Sequence, residues 1–163
     1  MRTRFMMCLV ISMALVVLLM GGCAKKVVKQ EEGPVVPGYG VGQISEADAH
    51  GVQTSLKLVH FDFDKYALSP EAQSAAQYNS EILKRYPNVA IIIEGHCDER
   101  GTPEYNLALG ERRAGAVAEY LSTLGVAPNR ISTVSFGCEL PLDPAHNEEA
   151  WAKNRRAYFR VGK

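Results

Sequence analysis

Hydrophobic and polar residues follow a regular pattern only from Lys57 onward. Residues 57–63 alternate between the two types with the two-residue period of a strand. Val89 to Ile93 is apolar and largely β-branched, which is typical of a central strand covered on both faces. Two further segments, 131–136 and 157–161, predict strands as well. The pattern therefore predicts four strands.

Helical patterns lie between these strands. Two of them begin with a hydroxyl residue followed by proline, at Ser69-Pro70 and Thr102-Pro103, a pairing typical of a helix start. The first is expected to end near Tyr86 and the second at Gly125. The second helix should bury a stripe at helical spacing, formed by Leu107, Gly110, Ala114, Val117 and Leu121.

A third, shorter helix is predicted from Asn147 through Trp151. The elements then follow the order β-α-β-α-β-α-β. Helices that alternate with strands pack on a sheet, and helical connections favour parallel neighbours in part of it. We therefore expect an α/β domain with an α+β sandwich-like arrangement, in which helices cover a mixed four-stranded sheet.

Before this domain, the N-terminus has the features of a bacterial secretory signal. Arg2 and Arg4 precede an apolar run from Phe5 to Met20, which ends in small residues before Cys23. The run is shorter than the ~20 residues of a spanning helix, so a permanent transmembrane anchor is the weaker interpretation. Residues 1–22 are therefore predicted to be a signal peptide.

Gly21-Gly22-Cys23 resembles a lipobox, the motif at which a bacterial signal is cut and the cysteine is acylated. Met20 stands where that motif usually has leucine, and the two residues are similar in size and apolarity. Ala24 follows the cysteine, rather than the aspartate that commonly retains lipoproteins in the inner membrane. The sequence thus predicts a lipidated Cys23 and an outer-membrane location, because several acyl chains give stable anchoring.

Residues 23–56 would connect the lipid to the domain. They contain glycine, proline and charged residues without a periodicity that would bury one face. We expect this segment to be a flexible tether. With 163 residues in the chain, one domain at 57–163 accounts for the rest.

Charge and cysteine content narrow the possible partners and chemistry. The chain has 18 basic and 18 acidic residues, whereas binding nucleic acid needs a surplus of lysine and arginine. Apart from Cys8 in the signal and Cys23, the cysteines are Cys97 and Cys138. In an oxidising compartment they form either one disulfide or two unrelated thiols, and the sequence leaves both open.

The densest polar cluster, residues 96–102, lies where the predicted central strand ends. Ligands of α/β sheets collect at such strand ends, beside the free amides of a helix start. One stripe of the next helix continues the cluster with Thr102, Asn106, Leu109 and Arg113. Asp98 and Arg113 would then face one space and suit a zwitterionic ligand, unless they merely pair with each other.

Catalytic alternatives fit less well. His96, Asp98 and Glu99 are too close in sequence to present three ligands to one zinc ion. The sequence has no HExxH or GxSxG motif, and no cysteine has an obvious partner base. Asp62 and Asp64 would suit a hydrolase, but equally a strand-to-turn exit. A binding domain without metal or cofactor is favoured over an enzyme, and a protein-interaction module stays open.

Five short motifs occur in the order FDFD (61–64), EGHCDERGT (94–102), YN (105–106), LGERRA (109–114) and KNRRA (153–157). Together they resemble the peptidoglycan-associated lipoprotein family, the OmpA-C-like members of the Tol-Pal system, over residues 57–163. The resemblance implies an OmpA-C-like fold. It also implies non-covalent binding of peptidoglycan through the meso-diaminopimelate side chain of its stem peptide.

The resemblance assigns roles to the polar cluster. Asp98 would take the ligand's ammonium and Arg113 its carboxylate. Further contacts would come from the backbone of Glu99, Arg100, Gly101 and Thr102, from Asn106 and Leu109, and from a wall formed by Phe61 and Asp62. The implied partner is a TolB-like periplasmic protein, and the implied process is envelope constriction at cell division. Family members often differ at Cys97 and Cys138, so no disulfide is implied.

Overall fold

The computed structural model of the protein describes residues 45–162. The predicted signal peptide (1–22), the predicted acylation site Cys23 and the first part of the predicted tether lie outside the described residues. Within 45–162, no helix combines the length and apolarity needed to cross a membrane.

The described residues form four strands and four α-helices. In chain order they are α1 (Glu46–Ser55), β1 (Val59–His60), α2 (Pro70–Arg85), β2 (Ile91–His96), α3 (Pro103–Thr123), a 3₁₀ turn (Pro128–Arg130), β3 (Ile131–Gly137), α4 (Glu148–Asn154) and β4 (Arg156–Val161). From β1 onward this is the predicted alternation of strands and helices.

The strands form one sheet in the order β1-β4-β2-β3. β2 and β3 are parallel, with Ile91 opposite Ile131 and His96 opposite Gly137. β4 is antiparallel to both β1 and β2. β2 is central and buried along its whole length, as its apolar, β-branched pattern predicts. The predicted mixed four-stranded sheet is therefore confirmed.

The predicted hydroxyl-proline caps begin the two long helices. Ser69 accepts a hydrogen bond from the N–H of Ala72 at 3.2 Å, and Thr102 accepts one from the N–H of Tyr105 at 3.2 Å. Each cap satisfies one of the amides that the first helical turn leaves unpaired. Thr102 also fixes where α3 starts, directly beside the end of β2.

One hydrophobic core lies between the sheet and the long helices. Its central members are Ala72, Ala76, Ile82, Leu83, Ile91, Ile93, Ala114, Val117, Leu121, Ala157 and Phe159. Burial of each large side chain contributes about 1.5–3 kcal/mol. This core fixes α3 against β2 and so determines the geometry of the loop between them.

Two glycines allow α3 to touch the sheet with its backbone. A Cβ on Gly95 would overlap the carbonyl oxygen of Gly110. A Cβ on Gly110 would overlap Ser135 Oγ and lie 2.8 Å from the carbonyl oxygen of Gly95. No side chain fits in this contact. The close approach places Asn106, Leu109 and Arg113 against the end of β2.

The predicted tether boundary at residue 56 is wrong. Residues 46–55 form α1, and Ser45 caps it by accepting a hydrogen bond from the N–H of Asp48 at 3.1 Å. Val52 is 1% exposed and belongs to the core. Because Val52 is the one buried residue of α1, the helix shows no apolar stripe in the sequence.

The side-chain amide of Gln53 holds α1 to β4. Nε2 donates to the carbonyl oxygen of Phe159 at 2.7 Å, and Oε1 accepts from the N–H of Val161 at 2.8 Å. Among residues 45–162, β1 pairs only with the first two residues of β4. Gln53 therefore satisfies backbone groups that a longer neighbouring strand would have bonded.

Two smaller expectations are also wrong. The strand predicted at 57–63 is reduced to Val59–His60. At its start, the Asn79 amide bonds both the N–H and the carbonyl of Lys57 at 2.8 Å, and at its end a turn begins, in which the N–H of Lys65 donates to the carbonyl of Asp62 at 3.3 Å. Leu107, expected in the buried stripe of α3, is 50% exposed. α3 is rotated so that Asn106 and Arg113 turn inward, where buried hydrogen bonds outweigh the apolarity of Leu107.

Candidate binding site

The candidate site is built on residues 97–102, the loop that joins β2 to α3. Gly101 has a φ of +107°, a left-handed conformation that lets the chain turn from strand to helix. Asn106 holds the loop from α3, since its Nδ2 donates to the carbonyl oxygens of Asp98 at 3.3 Å and Arg100 at 3.1 Å. The polar cluster thus has a fixed backbone.

Asp98 is 4% exposed and accepts four hydrogen bonds. Oδ1 accepts from the backbone N–H of Arg100 at 3.1 Å and from its Nε at 3.3 Å. Oδ2 accepts from Nη2 of Arg100 at 2.6 Å and from Nη1 of Arg155 at 3.1 Å. Burial favours the neutral acid, but these bonds outweigh it and hold the pKa of Asp98 below its ordinary value. Asp98 is therefore a carboxylate at neutral pH.

Arg113 is fully buried and is held by main-chain oxygens. It donates to the carbonyls of Lys65 at 2.9 Å, His96 at 2.8 Å and Asp62 at 3.1 Å. Its guanidinium lies 5.1 Å from the ring centroid of Phe61. Burial lowers the pKa of Arg113, yet arginine stays charged in proteins. Three carbonyl bonds out of five N–H groups leave donors for a ligand.

Asp98 and Arg113 line one cavity of about 190 Å³. The other lining residues are Phe63, Asp64, Cys97, Arg100, Gly101, Tyr105, Asn106 and Leu109. Within residues 45–162, the ion pairs of Asp98 are with Arg100 and Arg155 and not with Arg113. The alternative in which Asp98 and Arg113 pair with each other is therefore wrong. The cavity therefore presents both carboxylate groups (Asp64 and Asp98) and guanidinium groups (Arg100 and Arg113) to a small ligand.

Arg100 covers one side of this cavity. Its guanidinium lies 3.9 Å from the ring centroid of Phe63 and 4.3 Å from that of Trp151. It also approaches Glu148 on α4 at 3.4 Å. A cation between two rings gains from both faces. Arg100 thus connects the site loop to α4 across the mouth of the cavity.

Glu99 and Thr102 lie outside the cavity lining. The Glu99 carboxylate accepts from Trp151 Nε1 at 2.8 Å and lies 2.7 Å from His146 Nδ1. The bonds from Trp151 and His146 lower the pKa of Glu99. Thr102 uses its hydroxyl as the helix cap. Both residues therefore shape the loop rather than the cavity surface.

The wall expected from Phe61 and Asp62 is formed by the next two residues, Phe63 and Asp64. Phe61 lies beneath Arg113, and the Asp62 side chain turns to solvent, where it pairs with Lys65 at 3.0 Å. The chain leaves the sheet after β1 and turns at Asp64, which has a φ of 57°. This turn carries the later residues to the cavity.

Sequence reasoning missed Arg155 and Tyr105. Arg155 belongs to a basic pair that is usually solvated, yet it is buried and links Asp98 to the carbonyl of Phe61 at 3.1 Å and to Glu148 at 2.8 Å. Tyr105 donates its hydroxyl to Asp64. The KNRRA and YN motifs could have pointed to these two residues. Hydropathy could not, because it predicts that such polar side chains lie on the surface.

Cys97 and Cys138 are free thiols in the structure. β2 and β3 are neighbours, as a bridge would require, but the Cys97 thiol donates to the carbonyl of Asn106 at 3.3 Å. Burial raises the pKa of Cys97 to about 11, which disfavours the reactive thiolate. The structure places no bond between these two thiols, and Cys97 packs as part of the cavity wall.

An α/β domain with a small charged cavity at the end of its central strand belongs to the class of ligand-binding domains. Comparison with known proteins gives the family. The sequence matches the OmpA family over residues 60–155, which is more than half of the chain. The chain therefore belongs to the OmpA family.

Similar proteins agree with this assignment. The peptidoglycan-associated lipoprotein of Pasteurella multocida is 40% identical over 141 residues, covering 86% of this chain and 89% of that protein. The protein of the same name from Agrobacterium fabrum is 38% identical over 154 residues, covering 94% and 86%. The crystal structure of the peptidoglycan-associated lipoprotein from Burkholderia pseudomallei matches with a TM-score of 0.62 and 46% identity, covering 64% of this chain and 89% of that one. The resemblance identified from the motifs is confirmed.

Proposed function

We propose that this domain binds peptidoglycan non-covalently through the diaminopimelate residue of the stem peptide. The observation that carries the proposal is the cavity itself, where a buried carboxylate and a buried guanidinium face a ligand without pairing with each other. The far end of meso-diaminopimelate carries an ammonium and a carboxylate on one carbon. The relatives named peptidoglycan-associated lipoprotein support the same ligand.

In the proposed complex, Asp98 accepts hydrogen bonds from the ammonium, and Arg113 donates its two remaining N–H groups to the carboxylate. Charge-assisted bonds of this kind are roughly twice as strong as neutral ones. Asn106 and Gly101 define the floor and Leu109 supplies apolar contact to the ligand's methylene groups. The domain holds the wall and does not cleave it.

The proposal extends to the location of the protein. Cleavage before Cys23 and acylation of that residue would anchor the chain in the outer membrane. The domain would then link outer membrane and peptidoglycan as part of a Tol-Pal system. A TolB-like periplasmic protein would be its partner, and the linkage would support envelope integrity and constriction at cell division.

Co-sedimentation with purified peptidoglycan tests the ligand. The chain from residue 24 onward should pellet with the wall, whereas Asp98→Asn and Arg113→Lys should stay in the supernatant. Glu81→Gln and Arg112→Lys are matched controls on exposed positions, and both should pellet like the wild type. Near-ultraviolet circular dichroism checks that every variant is folded.

Two results would overturn the proposal. A folded wild-type chain that stays in the supernatant would favour a protein-interaction module. Release of soluble wall fragments during the incubation would favour an enzyme.

A further inference from the structure

The Asp98 carboxylate already accepts as many hydrogen bonds as its lone pairs allow. A carboxylate offers about four lone-pair sites, and Asp98 receives four hydrogen bonds, three from Arg100 and one from Arg155. A ligand ammonium can therefore reach Asp98 only if one of these donors leaves.

Arg155 is the donor that stays. Its side chain is 8% exposed, and its Nε donates to the carbonyl of Phe61 at 3.1 Å while Nη2 donates to Glu148 at 2.8 Å. Removing Arg155 from Asp98 would break the buried bond to the Phe61 carbonyl and the partly buried bond to Glu148. Such a change is costly because the freed buried groups lose their partners.

Arg100 is the donor that can leave. Its side chain is 31% exposed, and its contacts beyond Asp98 are two aromatic rings and Glu148, whose own side chain is 63% exposed. Rotation toward Glu148 would keep an ionic partner for the guanidinium. The backbone N–H of Arg100 would remain on Asp98, so the loop itself need not move.

We propose that Arg100 is an internal cation that occupies the ammonium position at Asp98 and is exchanged for the ligand. The inference rests on the proposed function. In the free protein Arg100 neutralises a buried carboxylate that would otherwise be costly. On binding, the ligand ammonium takes its place and Arg100 moves to Glu148, so the charge around Asp98 stays balanced.

The exchange lowers the apparent affinity, because only molecules with Arg100 displaced can accept the ammonium. Removing the guanidinium should therefore tighten binding. Arg100→Met keeps an unbranched side chain between the two rings but no cation. Glu148→Gln removes the anion that would receive Arg100, and it should weaken binding. Glu149→Gln is the matched control, since the adjacent Glu149 pairs with Lys153 instead.

The probe is free meso-diaminopimelic acid, titrated calorimetrically against the chain from residue 24 onward. We expect Arg100→Met to bind about tenfold more tightly than the wild type, Glu148→Gln severalfold more weakly, and Glu149→Gln like the wild type. Trp151 is the single tryptophan of the chain and contacts Arg100. Its fluorescence should change with saturation in the wild type and remain nearly constant in Arg100→Met.

The outcomes separate the two proposals. In one outcome, the wild type binds the probe, Arg100→Met binds it more weakly and Asp98→Asn does not bind it. Arg100 would then be a ligand contact, which overturns the proposed exchange but leaves the proposed binding site supported. Binding by Arg100→Met but not by the wild type would support the exchange, and it would mean that Arg100 blocks the free ligand almost completely. If neither binds, both the exchange and the proposed ligand are overturned.

Discussion

Asp98 and Arg113 line the same cavity but depend on different parts of the molecule. Asp98 is held by the side chains of Arg100 and Arg155, which come from a loop and from the end of α4. Arg113 is held by three main-chain carbonyls and projects from a helix whose glycine touches β2. Side chains change partners by rotation, whereas carbonyls move only with their elements. The anionic half of the candidate site is therefore adjustable at its Arg100 side-chain contact, whereas the cationic half is fixed.

The largest effect on the free energy of unfolding is expected at the backbone contact that holds α3, and with it Arg113, against β2. Gly110→Ala places a Cβ inside the contact with Ser135 and Gly95 and should lower the free energy of unfolding by about 3 kcal/mol or more. Gly115→Ala, in the same helix but facing open space, should raise it by about 0.5–1 kcal/mol. Urea unfolding measures both. Equal stabilities would show that the backbone contact is dispensable.

Removing the Arg113 guanidinium should cause the next largest loss in the free energy of unfolding. Arg113→Met leaves three buried carbonyl oxygens without their donor and should cost about 2–4 kcal/mol. The neighbouring Arg112 is exposed, so Arg112→Met should change stability by less than about 0.5 kcal/mol. Thermal and urea unfolding of both variants make the comparison. A similar small change in both would mean that the carbonyls are readily hydrated.

In the anionic half, the hydrogen bonds that Asp98 accepts should make the stability depend on pH. Because the pKa of Asp98 is lowered on folding, its contribution is complete above the ordinary value of about 3.9 and is lost as the pH falls through the lowered folded value. Asp98→Asn should therefore flatten the loss of stability in acid, measured by urea unfolding between neutral and acid pH. Arg113→Met should keep the wild-type slope despite its lower stability. An unchanged slope in Asp98→Asn would contradict this assignment.

The smallest effect is expected at Asp62, whose carbonyl bonds Arg113 while its side chain faces solvent. Asp62→Asn keeps the carbonyl and removes an ion pair with Lys65 whose side chains are 65% and 63% exposed. Stability should change by less than about 0.5 kcal/mol. A loss of more than about 1 kcal/mol in urea unfolding would show that the side chain, and not the main chain, supports this half of the site.

The parts of the fold that follow from hydropathy and capping were predictable. The caps at Ser69 and Thr102 lie at the predicted residues, and the central strand, predicted at 89–93, is β2 at Ile91–His96. α1 was missed because a helix with the single buried residue Val52 has no periodic signal. β1 was overextended at its start because Asn79, 22 residues along the chain, bonds the backbone of Lys57.

In the candidate site, the shared position of the two charged groups was predictable, but their hydrogen-bond partners were not. Strand-end position and helical spacing bring Asp98 and Arg113 to one cavity. Arg155 was missed because a basic residue before a strand has the same local pattern whether it is buried or solvated. Its role depends on a contact with Asp98 across 57 residues of sequence, and no local pattern contains that distance.

The amide of Gln53 has a consequence for many copies of the protein held close together. Open strand edges act as templates for strands of another molecule, and such pairing is a common start of aggregation. On β4, the carbonyl of Phe159 and the N–H of Val161 are already bonded to Gln53, so an incoming strand must first displace α1. Where many copies are concentrated, this short helix would help neighbouring molecules to remain separate.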